Sequence, residues 1–555
     1  MAIALAIVAV FPRAFVALVE QISSGFKALA QRRTAAVILA GVFPVAVRLL
    51  MLPIVHVPDP SIHDEFSHLL LADTLSSGRL ANPPHPFWQH FETIHEIQQP
   101  TYSSMYPPLQ GIFLALGEKC FHLPWAGVVL SVGLMFMSIC WMLQGWIPAE
   151  WALYGTLLAI LKIGIVGFWM NSYMGGAAPA IAGALLLGAV PRIVQAATTR
   201  SALLMALGII MLLNSRPFEG GILTVCALIY LLRYLWPQLS RNSGALLKRV
   251  VAPALAVVLF GFAFTAYYDF RVTGSPRRMP YAVNRDTYGW PENLAVLPPK
   301  KIHSIHPVLQ AMYEKEIDNR SHYSSPARII DSLVTRFFDS WAFYVGPALS
   351  LPLLVLPWVL RWKNARLLFG FAAIIAFVNL FQLLLYPQHL APLCGVIVAL
   401  LTLGIKYLYE LTRKFAPVRA VYLLAVLPLL LASVAVFKLE AEPLGISLSY
   451  WERAYEIHRD YRAALIKDLN QKPGKFLIIV RYAPWHSPDQ EWVYNAANID
   501  ASKIVWAREM DPASDAALIH YFADREVFLL DPDRFPIQLT PYHASSAVSL
   551  TPSSH

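Results

Sequence analysis

Four short clusters in this 555-residue chain combine side chains able to do chemistry together. His63-Asp64-Glu65 opens a polar stretch a few residues after an apolar block. Arg216-Pro-Phe-Glu219 and Tyr386-Pro-Gln-His389-Leu-Ala-Pro392 each sit at the end of another block. Ser275-Pro-Arg277-Arg278-Met-Pro-Tyr281 lies in a second polar stretch. Carboxylates and cations gathered at a lipid boundary suit a substrate made of a lipid tail, a phosphate and a polar head. That chemistry requires the four clusters to reach one membrane face, so the apolar blocks between them must be placed first.

Apolar residues make up 57% of the chain and charged ones only 14%, against about 25% charged in an ordinary soluble domain. With 12% aromatics, this excludes a disordered, collagenous or coiled-coil chain, and the block lengths exclude a soluble enzyme. The fold class expected is an all-α polytopic membrane protein with a small α/β domain at its C-terminal end. Residues 1–33 read as a cytoplasmic or interfacial segment. A first span covers about 34–54. Further spans lie near 125–143, 150–168, 176–194, 201–213, 220–236, 251–268, 343–360, 367–385, 390–408 and 418–437, about eleven in all. The stretch 109–116 is too short to cross and should lie along the outer surface. Cys140, Cys226 and Cys394 fall inside apolar blocks and Cys120 just before one, which favours reduced, packed thiols over a disulfide framework.

The net charge of +9 fits this picture without invoking nucleic acid. With the N-terminus inside, cytoplasmic turns carry Arg192, Arg200, Arg233, Lys248, Arg361, Lys363, Arg413 and Lys414, while the short outer turns hold only Arg216. An odd number of spans places the C-terminus outside. The transmembrane domain then runs over 34–437, with outer loops 56–124 and 269–340, and 438–555 forms a soluble extracytoplasmic unit. Within that unit 451–470 is helical in pattern, and 475–481, 503–508 and 526–530 read as buried strands of a parallel sheet.

The first outer loop resembles that of GT-C glycosyltransferases. Its run Asp64-Glu65-Phe-Ser-His68-Leu-Leu-Leu-Ala-Asp73 is followed by Ser77-Gly-Arg-Leu-Ala-Asn-Pro83 and Tyr106-Pro-Pro-Leu109. The pattern is similar to protein O-mannosyltransferases and lipid A aminoarabinose transferases, over about residues 34–200. The resemblance implies an inverting glycosyltransferase of the bacterial plasma membrane, with its tail in the periplasm. Such an enzyme takes a sugar from a polyprenyl phosphate and gives it to a lipid, glycan or protein acceptor outside. It also implies that Asp64 is the base and Glu65 the second carboxylate. The aminoarabinose branch has Asp-Glu-x-Arg and a Lys before Pro-Pro-Leu. Here Ser67 and Tyr106 stand at those places, so two phosphate-binding cations are missing.

Displacing a phosphate from a sugar carbon needs a base for the acceptor proton and cations for the leaving group. The available cations on the outer face are Arg216, Arg277, Arg278 and His389. Each has a plainer reading beside the functional one. Asp64 could cap a helix starting at Glu65, Arg216 could pair with Glu219, Arg277-Arg278 could bind lipid headgroups, and His389 could be packed. Trp88 and Tyr106 are candidates for contact with sugar or acceptor, Trp88 equally an interface anchor. His56, His63, His68, His85, His90 and His95 crowd the first loop beside Asp64, Glu65, Glu92 and Glu96. They could hold Zn²⁺ or Mn²⁺, but no pair has the His-Glu-x-x-His spacing, so no metal is assigned. Lys162 is a lone charge inside a span. A flippase for a lipid-linked sugar is disfavoured because no repeated halves are visible. A non-catalytic envelope assembly factor stays open because of the missing cations.

Overall fold

The computed structural model describes residues 12–288, 297–298, 305–383, 385–441 and 456–542. The start of the N-terminal segment, part of the second outer loop and the first residues of the tail helix pattern lie outside these. Helix α1 (Pro12–Gln31) leads into α2 (Arg33–Leu50), and the first outer loop carries α3 (His63–Ser76) and a small hairpin, β1 (Glu96–Ile97) with β2 (Ser103–Ser104). Next come α4 (Leu109–Phe121), α5 (Pro124–Trp146), α6 (Ala149–Ala159, continued by a π turn to Gly164), α7 (Ala177–Gln195) and α8 (Thr199–Leu213). The long α9 (Pro217–Leu246) and α10 (Ala252–Thr273) precede the second outer loop with α11 (Pro280–Tyr288), α12 (Pro307–Asp318) and α13 (Pro326–Tyr344). Then follow α14 (Lys363–Asn379), α15 (Cys394–Phe415) and α16 (Pro417–Ala441).

Seven helical stretches among the described residues are long and apolar enough to cross a membrane: Arg33–Leu50, Pro124–Trp146, Ala177–Gln195, Pro217–Pro237, Ser243–Thr273, Pro387–Phe415 and Pro417–Phe437. Each matches an expected span. The other four expectations take different forms. Span 150–168 is α6 with its π turn, 201–213 is the 15-residue α8, and 367–385 is the 17-residue α14. The stretch 343–360 is not one helix. Pro347, Pro352 and Pro357 each remove a backbone donor, and the chain breaks into turns of three to four residues.

Small residues set the helix contacts. A Cβ on Gly127 of α5 would meet the Phe113 carbonyl of α4 at 1.9 Å, so this glycine lets the short α4 lie directly on the bundle. A Cβ on Gly183 of α7 would meet the Pro392 carbonyl at 2.0 Å, which brings the turn bearing His389 against α7. At the C-terminal end of α2, Arg48 is fully buried. It donates to Asn171 Oδ1 and to the carbonyls of Val55 and His56 at 2.8–2.9 Å, over the Trp125 ring. That clasp fixes the point where the first loop leaves the bundle.

The tail forms the expected α/β unit: α17 (Glu456–Gln471), β3 (Phe476–Val480), β4 (Ile504–Arg508), α18 (Pro512–Tyr521), β5 (Glu526–Leu530) and β6 (Leu539–Pro541). The sheet order is β4-β3-β5-β6; the first three strands are parallel, and the edge strand β6 is an antiparallel addition. Strand β3 is buried on every residue, as a central parallel strand covered on both faces must be. The unit docks on the first loop. Ala497 N donates to Asp73 Oδ2 at 2.7 Å, Tyr102 Oη donates to the Asn495 carbonyl at 3.0 Å, and Phe66 stacks on Tyr494 at 4.1 Å.

Candidate active site

Helix α3 begins one residue before Asp64 and its N-cap is Ile62, so Asp64 does not cap it. The side chain that reaches back over the first turn is Glu65. One of its carboxylate oxygens accepts from Ser61 N at 2.8 Å and Ile62 N at 3.4 Å, and the other accepts from Tyr173 N at 2.8 Å. Burial raises the Glu65 pKa, against the pull of those amides. The expectation of a catalytic Glu65 is therefore corrected. Both oxygens are occupied by backbone donors, and the residue ties the first loop to the segment after α6.

Asp64, one residue earlier on the helix, points the other way. Tyr106 Oη donates to its Oδ1, His63 Nε2 lies 3.3 Å from Oδ2, and His95 Nδ1 lies 3.7 Å from Oδ1 and 3.0 Å from the Tyr106 hydroxyl. His95 adopts φ 61°, a left-handed conformation unusual for a non-glycine residue, and costs about 1–2 kcal/mol to hold there. Its far nitrogen faces Glu316 at 3.8 Å, and Arg285 pairs with Glu316 at 3.2 Å. His68 stacks on the Tyr106 ring at 4.5 Å. The first loop thus supplies the acid and its imidazoles, and α11 and α12 of the second loop close the far side.

Burial acts to raise the Asp64 pKa, but His63, His95 and the Tyr106 hydroxyl outweigh it and hold the carboxyl at about 2. Burial, helped by the neighbouring His95, lowers His63. Burial also takes His68 down to about 4, with the Arg216 charge acting in the same direction and Asp64 opposing. Glu316 is lowered despite burial, because His95 and Arg285 stabilise its anion. The centre is an ionised carboxylate caged by three imidazoles and one phenol.

The expected cations separate. Arg277 and Arg278 are exposed, and Arg278 pairs with Asp286 at 2.8 Å, so this pair stays at the surface, away from the cluster. His389 is buried, with Nδ1 accepting from Tyr386 N at 2.9 Å. Arg216 is the N-cap residue of α9, and its side chain makes no capping hydrogen bond there. It does not pair with Glu219, whose Oε1 accepts from Gln382 Nε2 at 3.1 Å instead. The Arg216 charge acts on both His68 and His389, and the Asp64 charge reaches the same two imidazoles. The two opposite charges thus act on the same pair of side chains.

Tyr106 stands where a sugar contact was expected, but its hydroxyl is held by Asp64 and His95. Trp88 is half-buried in a 3₁₀ turn that faces the tail sheet, outside the cluster. The loop histidines divide likewise. His63, His68 and His95 join the site, whereas His85 and His90 meet Asp500 and Asp515 of the tail at 3.1 and 3.3 Å. Arg285 and Glu316 were not legible, since nothing in the spacing of two residues in a long polar loop relates them to Asp64.

His63, Asp64 and His95 each offer a ligand atom within 4.8 Å of the others. Two imidazoles and a carboxylate suit a zinc-type ion, and His63 Nδ1 and His95 Nε2 have no hydrogen-bond partner among the described residues. Oδ1 of Asp64, however, already accepts from Tyr106, so an ion and that hydroxyl would compete for it.

No protein-family model and no curated protein matches the chain. Among solved structures it is similar to ArnT from Cupriavidus metallidurans bound to undecaprenyl phosphate, with 11% identity and a TM-score of 0.48, covering 89% of this chain and 93% of that one. It is also similar to the Archaeoglobus fulgidus oligosaccharyltransferase in complex with Zn and sulfate, with 11% identity and a TM-score of 0.47, over 89% and 67% of the two chains. At these scores the roles of individual residues rest on this chain's own side chains.

Proposed function

We propose that this protein is an inverting glycosyltransferase of the bacterial plasma membrane, moving a sugar from a polyprenyl phosphate to a lipid, glycan or protein acceptor on the outer side. In this reading residues 34–437 form the membrane domain and 438–555 an extracytoplasmic unit, with the N-terminus cytoplasmic. The observation that carries it is that an ionised Asp64 and the half-buried Arg216 guanidinium act on the same two buried imidazoles, His68 and His389. Asp64 takes the proton of the acceptor hydroxyl as its oxygen attacks the anomeric carbon. Arg216, with His389 beside it, receives the negative charge of the departing lipid phosphate.

A carboxyl held at about 2 is a weak proton acceptor while its donors are in place. An acceptor hydroxyl that displaces the Tyr106 hydroxyl removes one of them and raises the basicity of Asp64 when the proton is to be taken. Glu316 and Arg285 keep His95 in position behind it. A divalent ion on His63, Asp64 and His95, if bound, would supply Lewis-acid polarisation of an oxygen.

The test is turnover of a labelled polyprenyl-phosphate sugar by purified full-length protein. Asp64→Asn should insert and fold normally and slow transfer by ~10²-fold or more, the order associated with a positioned base. Turnover within a few-fold of wild type in that variant would remove Asp64 from the mechanism.

A further inference from the structure

Beyond Arg216 the bundle holds a second set of polar side chains that the transfer step does not use. Asn379 ends α14, on the buried face formed by Leu368, Phe371 and Ile375, and α14 packs on α9 and α15. Asn379 is 2% exposed, and neither its Oδ1 nor its Nδ2 has a hydrogen-bond partner among the described residues. Gln382, three residues on and also 2% exposed, donates to Glu219 and leaves its own Oε1 without a partner. Glu219 lies in the first turn of α9, three residues after Arg216.

Such groups are costly. Each buried polar atom left unmade costs about 1–3 kcal/mol. Yet the surroundings hold Gln382 firmly. Its carbonyl accepts from Tyr323 Oη at 2.7 Å and Arg336 Nη1 at 2.8 Å, and the next carbonyl, Leu383, accepts from Arg336 Nη2 at 2.8 Å. Three donors from the second loop thus fix the backbone that carries an amide with a free acceptor. Fixed, buried and unpaired amides suit a ligand that brings both hydrogen-bond donors and acceptors.

The geometry points to a sugar subsite formed by Asn379, Gln382 and Glu219, adjoining Arg216, that reads the hydroxyl or amino groups of the donor's sugar ring. Ring hydroxyls donate to Asn379 Oδ1, Gln382 Oε1 and the Glu219 carboxylate and accept from Asn379 Nδ2, while Arg216, one helical turn before Glu219, takes the phosphate. This assignment rests on the transfer reading above and adds to it where the sugar is recognised.

The experiment measures binding of bare polyprenyl phosphate, and of the same carrier bearing a mannosyl, glucosyl or aminoarabinosyl group, to full-length protein in detergent. Wild type should bind one of the glycosylated carriers more tightly than the bare one. Asn379→Leu should keep the bare-carrier affinity within about twofold and lose about tenfold of the sugar's added affinity, the order of one lost hydrogen-bonding group. Its melting temperature should be unchanged or higher, because no bond within the protein is removed. Gln382→Leu should lose the same increment with a lower melting temperature, since it gives up the bond to Glu219. An Asn379→Leu variant that melts lower and keeps the sugar increment would mean that the amide holds only buried water, and would overturn the subsite. A wild type indifferent to the sugar would overturn it too, leaving carrier binding intact. Failure to bind either carrier would strike at the transfer reading itself.

Discussion

At the scale of single residues, the chemistry depends on which neighbours a charge has. Asp64 and Glu65 are adjacent in sequence, but a helix turns them about 100° apart, so one faces the cage and the other the backbone of the loop. Asp64 stays ionised down to about pH 2. Its pKa is depressed in the fold, so its contribution to stability is complete above the ordinary carboxyl value near 4 and is lost as pH falls through 2. Transfer should therefore be flat from neutral pH down to about 5 and decline only as His68, at about 4, gains a proton. A pH–rate profile with its acid limb near 6.5 would contradict this. Tyr106→Phe removes a competitor for the carboxylate and should change turnover by less than about tenfold, far less than loss of Asp64 itself. Arg216→Ala should weaken binding of polyprenyl phosphate more than Arg278→Ala does, because Arg278 is exposed and already paired with Asp286. Equal affinities in the two variants would shift the phosphate contact to His389.

Among the elements, the decisive contact is between the tail sheet and the loops. Arg508, the last residue of β4, is buried, donates through Nε to the Glu92 carbonyl at 2.6 Å and pairs with Glu491. Glu92 in turn accepts from Tyr288 of the second loop at 2.7 Å, three residues before His95. Arg508→Ala would leave Glu491 buried without its cation, a loss on the order of 3–5 kcal/mol for a pair of this kind. It should loosen the tail, seen as faster proteolysis within 456–542, and depress transfer with little change in carrier affinity. A variant as protease-resistant as wild type would show that β4 is held by other contacts. The strands themselves were legible, because Phe-Leu-Ile-Ile-Val and its partners are short apolar runs between helical patterns. The docking was not. Phe66, Tyr102 and Asp73 look like ordinary loop and helix residues until Tyr494, Asn495 and Ala497 come against them. The break at 343–360 was missed because the stretch is as apolar as a span, and three prolines five residues apart outweigh that.

For the whole molecule, the contacts constrain topology without any charge counting. The first loop, the second loop and the tail touch one another through Glu92, Tyr288 and Arg508, so they share one side of the membrane. The chain must then cross an even number of times between α3 and α11 and again between α13 and α17. That holds for the long helices among the described residues, four in the first interval and two in the second. In the proposed reading, the excess of Lys and Arg in the opposite turns assigns the shared side to the outside. A reporter fused after His555 should accordingly be active only outside the cytoplasm, and cytoplasmic activity would invert the site. The same docking sets a timetable for synthesis. Asp73 receives its bond from Ala497, 424 residues later. At translation rates of about 5–20 residues per second, the ribosome needs roughly 20–85 s to deliver that partner after the first loop has emerged. Until then the loop face that meets the tail, with Phe66, Asp73 and Tyr102, stays uncovered. A nascent chain is thus inserted long before it is competent, and one that stops short of β4 should be a stable but silent occupant of the bilayer.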